Sequence, residues 1–124
     1  MLRIMSLPIN IMKSLIGGNM EIWSLDEKKT DMMFNDKPVY MKSFIVDGTL
    51  STGYELTKTG DIDRILCSLG TVTYTSSNAK YPVPYTDSSS RTIIYVNTNN
   101  NLITSVISSW HDLKCTIWYT KTTD

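Results

Sequence analysis

The sequence offers little of what most function classes require. It has no excess of one charge: 12 Lys+Arg stand against 12 Asp+Glu in 124 residues. A general nucleic-acid binder shows a net basic face, so no nucleic-acid partner is expected. Cysteine is scarce. Cys67 and Cys115 are too few for a disulfide scaffold and belong to no Cys-x-x-Cys pair. Each sits in a strand-like apolar run, where a free thiol behaves as a small hydrophobe. Only one histidine is present, His111, so a zinc site would have to gather both cysteines and a carboxylate around it. A Cys–His nucleophile pair could use only Cys67 or Cys115 with His111, and Cys115 shares its strand phase with Leu113 and Ile117, as a core residue does. Phosphate-cradling glycine motifs and the Gly-x-Ser-x-Gly elbow are absent. No run reaches the roughly 18–20 apolar residues that span a bilayer, so no membrane insertion is expected. Neither an enzyme nor a cofactor or metal is expected.

Length sets a further bound, because 124 residues make one ordinary domain and leave no room for a separate cofactor domain. What is abundant is small and polar. Sixteen Thr, 14 Ser and 8 Asn, with seven Tyr, favour strands and turns over a helical bundle.

Residues 1–20 differ from the rest. Leu7, Ile9 and Ile11 alternate with Pro8 and Asn10 as in an extended edge segment. Equally, Asn10 could cap a short helix with Ile11, Met12, Leu15 and Ile16 on one face, stopped by Gly17-Gly18. Either way the apolar residues are too few to form a core, and a docking arm follows, anchored through Leu7, Ile9, Ile11, Leu15 and Ile16. Pro8, Asn10 and Lys13 interrupt the apolar stretch and no small-residue cleavage site follows, so a signal peptide is not expected. Residues 21–36 read as a charged connector. Ser24 and Glu27 make a capping-box signal, which predicts a short exposed turn of helix over Asp26-Glu27-Lys28-Lys29.

From residue 37 to 124 the pattern is that of strands. Apolar runs cover Val39 to Val46, Arg64 to Thr75 with a bend at Gly70, Arg91 to Asn97, Leu102 to Ser109, and Leu113 to Lys121. Asn97 to Asn101 reads as a hairpin loop, Gly60 to Asp63 as the turn into the second run, and Trp110-His111-Asp112 as a tight turn. Asp61 and Asp63 alone lack the further ligands of a calcium loop. The pattern predicts an all-β fold, an antiparallel β-sandwich or jelly-roll-like module with a short N-terminal arm.

Thr75 to Ser90 reads as a long polar loop whose Tyr81-Pro82-Val83-Pro84-Tyr85 holds two tyrosines outward. Tyr81, Tyr85, Tyr54 and Trp110 at loops or strand ends could stack on a sugar; equally, they could pack the end of a barrel or a subunit interface. Tyr81, Tyr85, Asn99 and Asn100 are the candidate binding residues.

Two blocks carry a resemblance. Asn35-Asp36-Lys37-Pro38-Val39-Tyr40-Met41-Lys42 is similar to an Asp-Gly-Lys-Pro-aliphatic-Tyr-x-Lys element of small β modules in tailed-bacteriophage virion proteins, with Asp36 where that element has glycine. Met32-Met33-Phe34 stands where a tryptophan often precedes it. Tyr119-Thr120-Lys121-Thr122-Thr123-Asp124 resembles the terminal block of the same modules. The resemblance implies a virion structural protein assembled in the host cytoplasm, a trimeric tail-fibre or head-fibre head domain with other virion proteins and a host-surface glycan as partners. A capsid decoration protein without a receptor role and a free carbohydrate-binding module are the alternatives.

Overall fold

The computed structural model describes residues 22–124 as two antiparallel sheets that face each other, the sandwich that the alternation predicts. The expected arm, including Leu7, Ile9, Ile11, Leu15 and Ile16, lies outside the described residues. The strands are β1 (Lys28–Phe34), β2 (Lys37–Thr49), β3 (Ile62–Tyr74), β4 (Lys80–Val83), β5 (Tyr85–Thr86), β6 (Arg91–Val96), β7 (Leu102–Ile107) and β8 (Trp110–Lys121). One sheet runs β1-β2-β8-β3-β4 and the other β5-β6-β7.

Strand β8 is the spine of the larger sheet. Leu113, Cys115, Ile117 and Tyr119 point to the inner face, and Thr116, Trp118 and Thr120 to the outer one. All seven are buried, so β8 is covered on both sides. The inner side chains meet Val46 of β2, Ile62 and Val72 of β3, and Leu102, Ile94, Val96 and Val106 of the smaller sheet. On the outer face Met32, Val39, Met41 and Trp118 form a second, smaller core with Phe34, Leu66 and Cys67. Residues of β1 and β3 can meet there because the sheet curls. Strand β3 carries register shifts at three places along β8, and each bulge adds local twist. The Arg64 guanidinium lies 5.8 Å from the Phe34 ring centroid, across that curl.

The β1–β2 hairpin turns at Asn35 and Asp36, whose φ values of 49° and 63° are those of a two-residue turn with both central residues left-handed. Asp36 therefore adopts the conformation that a glycine would take more easily. Gly70 answers a different demand. It lies between Val83 of β4 and Cys115 of β8, and an added Cβ would stand 2.5 Å from Cys115 Cβ and nearer still to Lys114 O.

Three expectations are corrected. Lys28 to Phe34 is a strand and not a helical turn: Thr30 Oγ1 bonds Val39 O at 2.7 Å, and pairing along the edge of β2 overrides the local capping signal. Thr75 to Ser90 is not one open loop. Lys80–Val83 joins the larger sheet, the chain crosses at the cis Val83–Pro84 bond, and Tyr85–Thr86 joins the smaller one. Trp110-His111-Asp112 is already strand β8, the turn falling at Ser108 and Ser109, and Asp112 (φ 54°) instead accepts the Gly48 N–H at 2.8 Å where β2 slips register. The free edge of β7 is covered by residues 52–56, with Gly53 N–H on Thr104 O and Leu56 N–H on Leu102 O, each at 2.8 Å.

Candidate functional site

At the end of the sandwich where β3 stops and β8 begins, four rings converge. Tyr74 closes β3, Tyr81 lies on β4, Tyr85 on β5, and Trp110 opens β8. Trp110 is the hub, with Tyr74, Tyr81 and Tyr85 at centroid distances of 4.8, 5.4 and 5.6 Å. Tyr81 and Tyr85 are themselves 4.8 Å apart. Tilted and edge-on pairs at these separations add attraction beyond the area they bury. Trp110 is 1% exposed and its indole N–H donates to Ile107 O at 2.8 Å, so its polar atom is satisfied within the fold.

The rim of this cluster is polar. The Tyr85 hydroxyl donates to Asp87 Oδ2 at 2.6 Å, and Asp87 Oδ1 accepts the Ser89 and Ser90 N–H groups at 2.8 Å each. An aspartate bonding the backbone two and three residues ahead is the local chemistry of a turn. The same bonds polarise both groups. The Tyr85 hydroxyl and the two N–H groups hold the Asp87 carboxyl well below the usual carboxylate range. Asp87 in turn pushes the Tyr85 hydroxyl up to about 12. Rings and rim enclose an open cleft of about 130 Å³ lined by Tyr74, Tyr81, Tyr85, Asp87, Ser89, Ser90 and Trp110. Its polar side chains are hydroxyls and the Asp87 carboxylate, beside a Trp110 indole N–H already bonded within the fold, and no cationic side chain lines it. Such a surface suits a ligand that presents hydroxyl donors beside an apolar ring face, and its size admits the edge of one ring.

The sequence pointed to Tyr81 and Tyr85, and the structure brings them together. It also corrects their posture: both are half-buried against Trp110 and do not project freely. Tyr54 is absent from the cluster. It is exposed on a shallow groove of residues 51–55 and Lys58. Asn99 and Asn100 are not part of the cleft either. They lie beyond the opposite end of β6, a six-residue strand and so about 20 Å long at roughly 3.3 Å per residue. Asn100 (φ 60°) is a tether: its side-chain N–H donates to Ile62 O and its carbonyl accepts the Ile62 N–H, both at 3.0 Å. Asn97 Oδ1 accepts the Asn99 and Asn101 N–H groups at 3.0 Å. Tyr74, Asp87, Ser89 and Ser90 were missed by sequence reasoning. Only the Asp-Ser-Ser-Ser run, a turn signal, hinted at the rim.

The other end of the sandwich gathers the two blocks that opened and closed the strand region. Tyr40 faces Tyr119 in register, and their rings stack at 6.4 Å with 20° between planes. Lys37 Nζ donates to Lys121 O at 3.1 Å and pairs with Asp63 at 3.3 Å. Lys121 Nζ pairs with Asp61 at 3.0 Å and Glu27 at 3.1 Å, 4.9 Å from the Tyr40 centroid. The Tyr119 hydroxyl donates to Glu27 at 2.9 Å. Burial and this bond raise the hydroxyl far above its ordinary range. Asp61 and Asp63 are thus held by separate lysines. Among the described residues no group of three or more His, Cys, Asp or Glu side chains is placed to hold a metal ion.

Cys115 is fully buried, and burial pushes its thiol up to about 12. His111, four residues back on β8 and so about 13 Å away along the strand, is hydrogen-bonded through Nδ1 to the Thr75 hydroxyl at 2.9 Å. No protein-family model, curated protein or solved structure matches the chain.

Proposed function

We propose that the chain is a structural protein of a tailed-bacteriophage particle. It is a homotrimeric fibre or receptor-binding head module, assembled in the host cytoplasm and carried on the virion. Residues 1–20 attach it to tail or capsid proteins, and the aromatic end meets the host surface. The observation that carries the reading is the placement of the aromatic cleft at the end of the sandwich opposite the one where residues 35–42 and 119–124 meet. The blocks that resemble phage modules are joined there by the Tyr40–Tyr119 stack and the Lys37 bond to the chain's last strand, which is a structural role. That leaves the cleft end free to vary in what it binds. Its rings and acceptor oxygens suit a cell-surface glycan.

The test is adsorption of particles to host cells. Tyr81→Phe with Tyr85→Phe keeps the rings and removes the hydroxyls, and Tyr81→Ala with Tyr85→Ala removes both. Both pairs should reduce adsorption at least tenfold while particles still assemble. Adsorption unchanged in both would make the cleft purely structural and favour a capsid head-fibre or decoration role. The cleft also favours a second reading, a free carbohydrate-binding module. Deleting residues 1–20 separates the two, since a virion module should then fail to enter particles and a free module has no particle to lose.

A further inference from the structure

Four of the large apolar side chains left in solvent stand together on the outer face of the larger sheet. Strand register places them. Ile45 of β2 lies beside Lys114 of β8, and Leu69 of β3 lies beside Thr116 of β8, all directed away from the smaller sheet. Ile22 and Trp23 cross the same face, because Ile22 O accepts the Thr116 hydroxyl at 2.8 Å. Ser24 O accepts the Ser43 N–H at 2.6 Å, and Ser43 Oγ bonds Thr116 Oγ1 at 2.7 Å. Relative exposures are 40% for Ile22, 41% for Trp23, 42% for Ile45 and 45% for Leu69. Together they leave on the order of 300 Å² of apolar side chain open, at the lower end of the largest patch on a typical monomer, which is often functional.

We infer that this face is where copies of the chain meet. The inference rests on the trimer reading above and adds where the subunits touch. Two observations choose a second copy as the occupant. The first is where the chain arrives: 21 residues precede Ile22, and Ile22 is fastened to the centre of the patch. Copies that share one attachment point on a particle converge where their leading segments enter, and in a closed cyclic assembly that region lies nearest the axis. The second is chemical. The two rows Ile45–Lys114–Thr71 and Ser43–Thr116–Leu69 carry a single charged side chain, Lys114. The hydroxyls of Ser43 and Thr116 are bonded to each other, and Thr116 also to the Ile22 carbonyl. The hydroxyls at the centre of the patch are thus already satisfied and lose little on drying, as the centre of a subunit interface requires, while Lys114 and Thr71 stand exposed beside them.

The experiment is light scattering and sedimentation equilibrium on the full chain. Wild type should run at three times its 14.1 kDa chain mass. Ile45→Glu with Leu69→Glu should weaken self-association at least 100-fold. Tyr95→Glu with Ile107→Glu, the same charge change at exposed positions on the outer face of the other sheet, should leave it intact. If the glutamate pair on the larger sheet fails to fold by circular dichroism, Ile45→Thr with Leu69→Thr puts a β-branched strand former at both positions and should still dissociate the trimer. A folded, fully trimeric variant at Ile45 and Leu69 overturns the inference while leaving the trimer reading standing. A monomeric wild type overturns both. If the full-length glutamate variant stays trimeric and deletion of residues 1–20 alone yields monomers, the leading segment and not this face joins the copies.

Discussion

Gly70→Ala is the most informative single methyl that can be added to this protein. The new Cβ would stand 2.5 Å from Cys115 Cβ and 2.6 Å from Cys115 Cα, and still nearer to the Lys114 carbonyl oxygen. Carbon atoms in contact prefer about 3.5–4.0 Å, so β8 would have to retreat by about 1 Å. It cannot do so alone, since β8 is paired to β2 on its other edge through Ser43, Phe44 and Ile45. Overpacked cores lose typically about 1–3 kcal/mol. Here the obstacle includes backbone and not only the end of a flexible side chain, which places the loss near 3 kcal/mol. For 124 residues, between the 60–100 and 150–250 size classes, that is a fall of roughly 12 °C in Tm at about 4 °C per kcal/mol. Gly48→Ala is the internal control. Its φ is +81° but no atom lies within 4 Å of the added Cβ. Only the left-handed conformation is penalised, by about 1 kcal/mol. Urea unfolding followed by tryptophan fluorescence, at one fixed protomer concentration, reads both. If Gly70→Ala is no more destabilising than Gly48→Ala, the close approach of β3 and β8 is wrong.

Two further outcomes follow from protonation chemistry. Asp87 has a folded-state pKa held below its unfolded value of about 3.9, so its ionised bonds contribute stability that is present above pH 4 and lost as acid is added. The gap in urea midpoint between wild type and Asp87→Asn should therefore be open at pH 7 and shrink below pH 4, and a pH-independent gap would contradict the bonding described. Thiol titration of the native protein with an aromatic disulfide reagent should leave Cys115 untouched and modify half-buried Cys67 slowly, with both reacting at once in urea. Rapid native reaction at two thiols would refute the buried placement of Cys115.

Much of the fold could be read directly from residue order. Alternation of Leu113, Cys115, Ile117 and Tyr119 marks a strand with one apolar face, and Asn35-Asp36 and Asn97 to Asn101 mark turns, because these signals act over a few residues. Local signals also misled where a longer-range partner outweighed them. Ser24 and Glu27 have the spacing of a helix cap, yet Glu27 bonds Tyr119 and Lys121, and Lys28–Phe34 completes the edge of β2.

Alternation cannot tell which strands become neighbours. Thr116 and Thr120 look like the wet face of β8, but both are buried, Thr116 beneath the Ile22 carbonyl to which its hydroxyl donates and Thr120 against Asp63. Asn100 looks like an exposed loop-tip ligand, but its amide is spent on Ile62. The cleft is assembled from residues spread between Tyr74 and Trp110, brought together only when β4 and β5 divide between the two sheets. By itself, then, the sequence determined what this protein has little of (charge of one sign, two cysteines, a single histidine) and that its chain would make strands, since composition and period act locally. Tertiary structure alone decided which aromatic rings meet, which asparagines are tethers, and which apolar side chains remain in solvent. Those depend on register and on the curl of the sheet, which belong to pairs of strands and not to any one of them.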